Sequence, residues 1–426
     1  MKKSIKTVTL GCRFNSYESE VAKAMLEEAK ADSDIVVINT CSVTHEAERQ
    51  SRQAVRKAIR ENRSAKIIVT GCAAKTSYEY FKALDGVHKI IQNDEKLDIG
   101  SYATVVHPDD NDDNPTESAA RNPIFRDRIR AFLQIQNGCD NYCTYCIVPI
   151  TRGPPRSLPI KDIMLQIEAS LVAGCKEIVL SGIDITSYGR DLAGPVLADV
   201  IETVLKEFPD VTRLRISSLD PHGIDNRLLG LFTGESRIMP HLHLSIQSGD
   251  DTVLTSMRRR HTRDDVITLC QKILDLRPDV VLGCDLIAGF PAETEAMFQN
   301  TMSLVDEAHL TLLHVFPYSP RTGTAAANMI QLPREVVLKR AEILREKAIA
   351  VKHKLFKTLV GTTVRGILEK FADGIWYGKT DSFIPFRFSQ LSHQQLSPGS
   401  VITALVTGFN DQEGLVVDDM MSFDTS

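Results

Sequence analysis

The chain reads as an α/β protein in three units: an N-terminal doubly wound parallel sheet, a central partial (β/α)6 barrel and a small C-terminal β-barrel. Three observations predict this. Apolar β-branched runs recur three times before residue 72, each with a cysteine just beyond its end. Six more apolar runs alternate with helical patterns between residues 131 and 316, and short alternating segments follow a long helical stretch near the end. With 426 residues, 43% of them hydrophobic and 25% charged, the chain can bury two or three cores, and its length suggests about three domains. They are expected at 1–118, 124–357 and 358–426.

In the first unit the runs are Val8-Thr9-Leu10-Gly11-Cys12, Ile35 through Cys41 and Ile67 through Cys72. Helix-like segments follow near Ser16, Thr44 and Thr76. Strand, cysteine and helix repeated three times predict a parallel sheet with Cys12, Cys41 and Cys72 on loops at its carboxyl edge, where open α/β sheets bind ligands. A lone cysteine is more often a small buried hydrophobe than a ligand. Three in one register point instead to a three-cysteine metal cluster. Residues 107–123, HPDDNDDNPTESAARNP, are polar and acidic without an apolar run, the composition of a linker or exposed loop.

The central unit opens with a run near Ala131–Ile135 and then Gly138-Cys139-Asp140-Asn141-Tyr142-Cys143-Thr144-Tyr145-Cys146, a Cys-x3-Cys-x2-Cys loop. A disulfide or zinc knuckle fits poorly, because tetrahedral zinc needs a fourth ligand close by. A [4Fe–4S] cluster held by three thiolates keeps one iron free to chelate a small molecule. Further strands are expected near Ile178–Ser181, Leu214–Ser217, Leu242–Ile246, Val280–Leu286 and Thr311–Phe316. At their carboxyl ends, where such barrels carry functional groups, stand Asp184, Ser217 to Pro221, Gln247-Ser248-Gly249, Gly289 to Thr294 and Phe316 to Pro320, with Asp285 on the fifth strand. Each alone is ordinary loop composition; their common placement around the cysteine loop favours a shared ligand. His241 and His243 lie along the fourth strand, and one of them is expected to point into the barrel. Cys175, Cys270 and Cys284 lack ligand spacing and read as core.

The third unit follows a helical pattern from Pro333 to Lys357 that ends near Gly361. Thr362–Leu368 and Val401–Val406 alternate as strands of a small barrel.

The cysteine loop resembles that of the radical S-adenosylmethionine (SAM) superfamily, in which the free iron binds the amino and carboxylate groups of SAM. On that resemblance Asp184 is the candidate beside the SAM amine, and Ser217, Asp220 and Gln247 are candidates for its ribose and polar groups. Arg259, within Met257-Arg258-Arg259-Arg260-His261, would meet the SAM carboxylate or an RNA phosphate. Gly11 to Asn15, Asn39 to Thr44, Thr70-Gly71-Cys72, Gly138 through Pro149, Gly289 to Thr294 and Phe316 to Thr324 resemble the methylthiotransferase family over nearly the whole chain, with a tail similar to a TRAM domain. Asn15 to Glu20, Ser51 to Arg56 and Gly182 to Gly189 are most similar to the branch acting on N6-threonylcarbamoyladenosine in tRNA.

The resemblance implies two [4Fe–4S] clusters, with Cys139, Cys143 and Cys146 holding the radical cluster and Cys12, Cys41 and Cys72 an auxiliary one. It implies that a 5′-deoxyadenosyl radical from SAM abstracts hydrogen from carbon 2 of the adenine at tRNA position 37, 3′ of the anticodon. The auxiliary cluster then supplies sulfur and a second SAM methylates it. No acid–base pair is required. The implied partners are tRNA, through its anticodon stem-loop, and an electron donor such as flavodoxin or ferredoxin. Relatives that act on isopentenyladenosine in tRNA, or on an aspartate of a ribosomal protein, share the cluster motifs and stand as alternatives.

Charge bears on the choice. The net of −5 argues against a uniformly basic nucleic-acid binder, so local patches must carry any RNA contact. Residues 361–426 hold four basic residues against eight acidic ones, which suits a basic protein substrate better than RNA. Pro333–Lys357, with eight basic residues and three Glu, and Glu46–Lys66, with seven and three, are candidates to track phosphates or are solvated helix faces. Leu158 stands where many relatives carry arginine and Ala292 where glycine is common, departures expected to alter contacts rather than chemistry. The start MKKSIKTVTL lacks a signal-peptide core and no run would span a bilayer, so a cytoplasmic protein with reduced thiols is expected.

Overall fold

A computed structural model of the chain describes residues 3–29, 31, 33–102, 105, 129–389, 396–410 and 413–424. The expected linker at 107–123 lies outside the described residues, as do both domain limits beside it.

The first unit is a four-stranded parallel sheet in the order β1 (Ile5–Thr9), β2 (Ile35–Thr40), β3 (Lys66–Gly71), β4 (Val87–Ile90). β2 is buried throughout, as its unbroken IVVINT run requires of a strand covered on both faces. Ala22 and Leu26 of α1 (Arg13–Glu28) pack on Ile35, Val37 and Ile68. Val55 and Ala58 of α2 (His45–Glu61), with Phe81, pack on the alternate residues Val36, Ile38, Ile67 and Val69. Thr44 caps α2 by accepting from the Ala47 amide at 3.1 Å. The third helix departs from expectation: it begins at Cys72 and breaks at Ser77 into α3 (Cys72–Thr76) and α4 (Tyr78–Lys82).

All six expected strands of the central unit form: β5 (Arg130–Asn137), then, after the short β6 (Arg156–Ser157), β7 (Glu177–Gly182), β8 (Leu214–Ile216), β9 (His241–Gln247), β10 (Val281–Ala288) and β11 (Leu312–Pro317). They make two parallel sheets, β5-β7-β8 and β9-β10-β11, with β6 antiparallel on the β5 edge. The sheets meet where the Leu219 amide donates to His243 O (2.9 Å) and the Ser245 amide to Leu219 O (2.9 Å). The result is an open barrel of six strands. Residues 131, 133 and 135, 178 and 180, 242, 244 and 246, and 282, 284 and 286 join one core with α6 (Ile160–Val172), α7 (Leu197–Glu207), α8 (Asn226–Gly234), α10 (Arg263–Leu276) and α11 (Glu295–Glu307); two shorter helices, α5 (Val148–Arg152) and α9 (Asp251–Ser256), sit at the carboxyl end. Cys175, Cys270 and Cys284 belong to this core, as expected.

The tail is a closed antiparallel-and-parallel barrel in the order β12 (Thr363–Ala372), β13 (Ile375–Thr380), β14 (Pro385–Ser389), β16 (Gly414–Asp424), β15 (Val401–Asn410). Phe356 of the long helix α12 (Arg334–Leu359) and Val281 of β10 pack into its core with Leu368, Trp376, Phe386 and Leu415, tying the tail to the central unit. Among the described residues no helix is long and apolar enough to cross a membrane.

Candidate active site

Gly138 ends β5 at φ +73, with Pro154 O where a Cβ would stand, so only glycine turns the chain into the cysteine loop here. The Cys146 amide then donates to Cys143 O at 2.9 Å and the Asn141 amide reaches Cys139 Sγ at 3.5 Å. Arg259, just past α9, brings Nη1 to 3.4 Å from Cys143 Sγ, while its Nη2 donates to Asp220 (2.9 Å) and Ser245 O (2.6 Å). Val253, Met257, Ile287, Phe290 and Tyr318 form an apolar cluster with Tyr145 against the loop.

Cys12, Cys41 and Cys72 stand at the ends of β1, β2 and β3. A Cβ on Gly11 would lie 2.8 Å from Cys41 Sγ, so the loops are drawn close around the thiols. Asn93 Nδ2 lies 3.7 Å from Cys72 Sγ and also donates to Thr151 O of the central unit at 2.8 Å. Burial pushes the Cys41 and Cys139 thiols up to about 11 and Cys146 to about 12. A bound metal deprotonates a coordinating thiol outright, and both triads, soft donors free of disulfides, suit iron–sulfur clusters.

The two triads are fastened to each other. Arg152, at the end of α5, donates to Glu18 Oε1 (2.8 Å), Asn15 Oδ1 (2.7 Å) and Asn137 Oδ1 (3.3 Å), and Lys96 pairs with the same Glu18. Against the cost of burial, Arg152 and Lys96 hold the Glu18 carboxyl below the usual range. Arg321 pairs with Glu48 at the other side of the seam. Glu18 and Arg152 carry no ligand spacing; the signal for them was a carboxylate on the buried face of α1.

The SAM candidates divide. The Asp184 carboxylate lies beside the loop, 4.0 Å from Cys139 Sγ, and accepts from Asn141 (2.7 Å), Thr186 (2.6 Å) and Ser187 (2.6 Å). Asp220 is held by Arg259, Arg260 (3.5 Å) and His261 (3.8 Å). Despite burial, these partners keep its carboxyl well below the usual range. The pair Asp220–Arg259 thus braces the loop. Ser217 Oγ is buried without a partner among the described residues, and Gln247 ends β9 at φ +78, a left-handed conformation rare outside glycine.

The barrel interior corrects one expectation. His241 and His243 both face it, because residues two apart on a strand share a face. His243 Nε2 and His314 Nδ1 lie 2.9 and 3.2 Å from the same Asp285 oxygen. His241 stacks on Phe383 of the β13–β14 turn at 5.1 Å. That turn closes the amino end of the barrel: Asp381 pairs with Arg213 and accepts through its backbone from Arg215 (3.2 Å), and both arginines pair with Glu177.

Residues 133–305 match the model of the radical SAM superfamily, and residues 4–92 that of an uncharacterized protein family, UPF0004. A radical SAM methyltransferase, TsrM from Kitasatospora setae, solved with tryptophan and a SAM analog, superposes with TM-score 0.55 at 13% identity over 75% of each chain. Another structure of it, with cobalamin and a [4Fe–4S] cluster bound, gives 0.53 over 88% of this chain and 81% of that one, also at 13% identity. Fold, cysteine loop and family model together define a radical SAM enzyme. The chain is 43% identical, over 95% of both chains, to the threonylcarbamoyladenosine tRNA methylthiotransferase MtaB of Rickettsia prowazekii, and 31% identical to that of Thermotoga maritima over 91% of both. A tRNA-2-methylthio-N(6)-dimethylallyladenosine synthase of Erythrobacter litoralis is 33% identical over 89% of this chain and 90% of its own. The chain belongs to the methylthiotransferase family of radical SAM enzymes, which use two [4Fe–4S] clusters and SAM.

Proposed function

We propose that this protein methylthiolates carbon 2 of N6-threonylcarbamoyladenosine at tRNA position 37. The observation that carries the reading is the buried Glu18–Arg152 pair, which locks two cysteine triads edge to edge. It does so in a chain 43% identical to a relative named for that substrate. In this reading Cys139, Cys143 and Cys146 hold the cluster that binds SAM, and Cys12, Cys41 and Cys72 hold the second. Bound there, the two clusters and SAM supply hydrogen abstraction, sulfur and a methyl group.

The chain's own residues do the rest. Arg259 fixes the Cys143 thiol and Asp184 offers a negative field for the SAM amine, while the partnerless Ser217 hydroxyl and the strained Gln247 remain for the ribose. The apolar cluster under the loop keeps water from the reacting carbon. Basic residues of α2 and α12 track the phosphates of the anticodon stem-loop, with the TRAM-like tail, 358–426, behind the 124–357 barrel and the 1–118 unit. The setting is the cytoplasm, with a flavodoxin or ferredoxin as reductant.

The test is nucleoside mass spectrometry on tRNA from cells lacking their own methylthiotransferases, with and without this chain. Appearance of the 2-methylthio form of threonylcarbamoyladenosine, abolished by Cys12→Ala or by Cys139→Ala, is expected. The isopentenyl analogue instead, or no methylthio nucleoside, overturns the substrate reading.

A further inference from the structure

The closed end of the barrel carries more positive than negative charge. Arg13, Arg130, Arg213, Arg215 and Lys379 surround Phe383, and the carboxylates among them are Glu177, Glu369 and Asp381. Arg130, Arg213 and Arg215 are paired with those acids. Arg13 and Lys379 have no carboxylate within ion-pair distance among the described residues. Arg13 lies over the Phe383 ring at 4.8 Å and the Phe132 ring at 5.6 Å, and Lys379 over Phe383 at 4.1 Å. Deeper in, Arg215 Nη1 and His241 Nδ1 are buried and unpartnered. Two cations over one ring, with Glu369 near but not in ion-pair contact with either, favour an anion between them.

The interior is open to receive one. Phe132 and Gln134 on β5, Asp285 on β10 and His314 on β11 all keep accessible surface on the barrel side of their strands, and Arg13 itself is exposed. Arg13 is also the neighbour of Cys12. An adenine whose carbon 2 meets a sulfur source held by Cys12 therefore has its N6 substituent within reach of one arginine side chain. Carbon 2 and N6 flank N1 on the same edge of the purine. In threonylcarbamoyladenosine that substituent ends in a free carboxylate, the partner that Arg13 and Lys379 lack within ion-pair distance among the described residues; the interior carboxylate, Asp285, is held by His243 and His314.

We propose that Arg13, assisted by Lys379, binds the carboxylate of the substrate's threonyl group inside the barrel and so selects this nucleoside over neutral N6-substituted adenosines. The proposal rests on the substrate reading above. Arg13 is then a specificity residue, and Phe383 the aromatic wall that holds its guanidinium in place.

The experiment uses the reconstituted holoenzyme and two anticodon stem-loops, one with threonylcarbamoyladenosine and one with its threonyl methyl ester, which replaces the charge by one methyl group. Binding is followed by fluorescence anisotropy and turnover by mass spectrometry. The unaltered enzyme is expected to bind the acid about 10- to 100-fold more tightly than the ester. Arg13→Met is expected to abolish that preference by weakening the acid alone, and Arg13→Lys to restore part of it. Lys379→Met, on a different domain from the cluster cysteines, is expected to reduce the preference with iron content unchanged, so a folding or cluster defect in Arg13→Met leaves the proposal testable. Equal binding of acid and ester by the unaltered enzyme, or equal losses on both in the variants, overturns it. Failure of the unaltered enzyme to methylthiolate either stem-loop would instead overturn the substrate reading.

Discussion

Arg152 Nη1 lies 2.8 Å from Glu18 Oε1, both side chains out of reach of water, and the pair joins the helix that starts behind Cys12 to the turn that ends the Cys139–Cys146 loop. Two sulfur-lined loops on separate sheets thereby become one rigid object. Arg152→Met leaves Glu18 with Lys96 alone and strands part of a buried negative charge. A buried pair broken on one side typically costs about 3–5 kcal/mol. The expected outcome is a lower denaturant midpoint together with a reduced iron content after reconstitution, read by iron analysis of the purified variant. Unchanged midpoint and iron would show that the seam holds without the pair.

Lys379 gives the stability a pH signature. Burial, then the neighbouring Arg13, Arg130 and Arg215, bring its ammonium down to about 8 from the ordinary 10.5. Between those values the unfolded chain holds a proton that the folded chain has released. This group's contribution therefore raises stability as pH climbs from about 8 towards 10.5 and is lost as pH falls through 8. Lys379→Met removes that rise. Unfolding midpoints of both proteins, taken below and inside the window, check it; parallel profiles would rule the effect out.

Ala292 occupies φ +62 in the turn before α11, a conformation that costs a non-glycine residue roughly 1–2 kcal/mol. Ala292→Gly is expected to stabilise the protein by about 1 kcal/mol, less the added freedom of the unfolded chain, without touching activity. Thermal unfolding and turnover measured side by side decide this. A drop in midpoint would mean that the methyl group packs favourably.

The parts of this molecule that repeat or alternate were readable in one dimension. Each cysteine of the first triad follows its own β-branched strand, and the six central strands announce themselves as separated apolar runs, so both sheets and both triads could be located from residue order. That Asp220 and Arg259 face each other at 2.9 Å has no trace in residue order, because a loop residue's partner depends on how two βα turns meet in space. Arg13 was visible only as part of a motif. Its position between Phe132 and Phe383 depends on a turn 370 residues further on, and long-range pairs of that kind have no periodic trace. His241 and His243 were misjudged for a simpler reason, since a spacing of two keeps both on one side of a strand.

Phe383 and its turn make a cup out of what would otherwise be a tube. A barrel open at both ends lets solvent pass straight along its axis; one stoppered at the base is reached from the side of the cysteine loop or through the gap left between β5 and β11. The tail thus bears on the barrel by geometry, from its base, without needing to touch a nucleic acid at all.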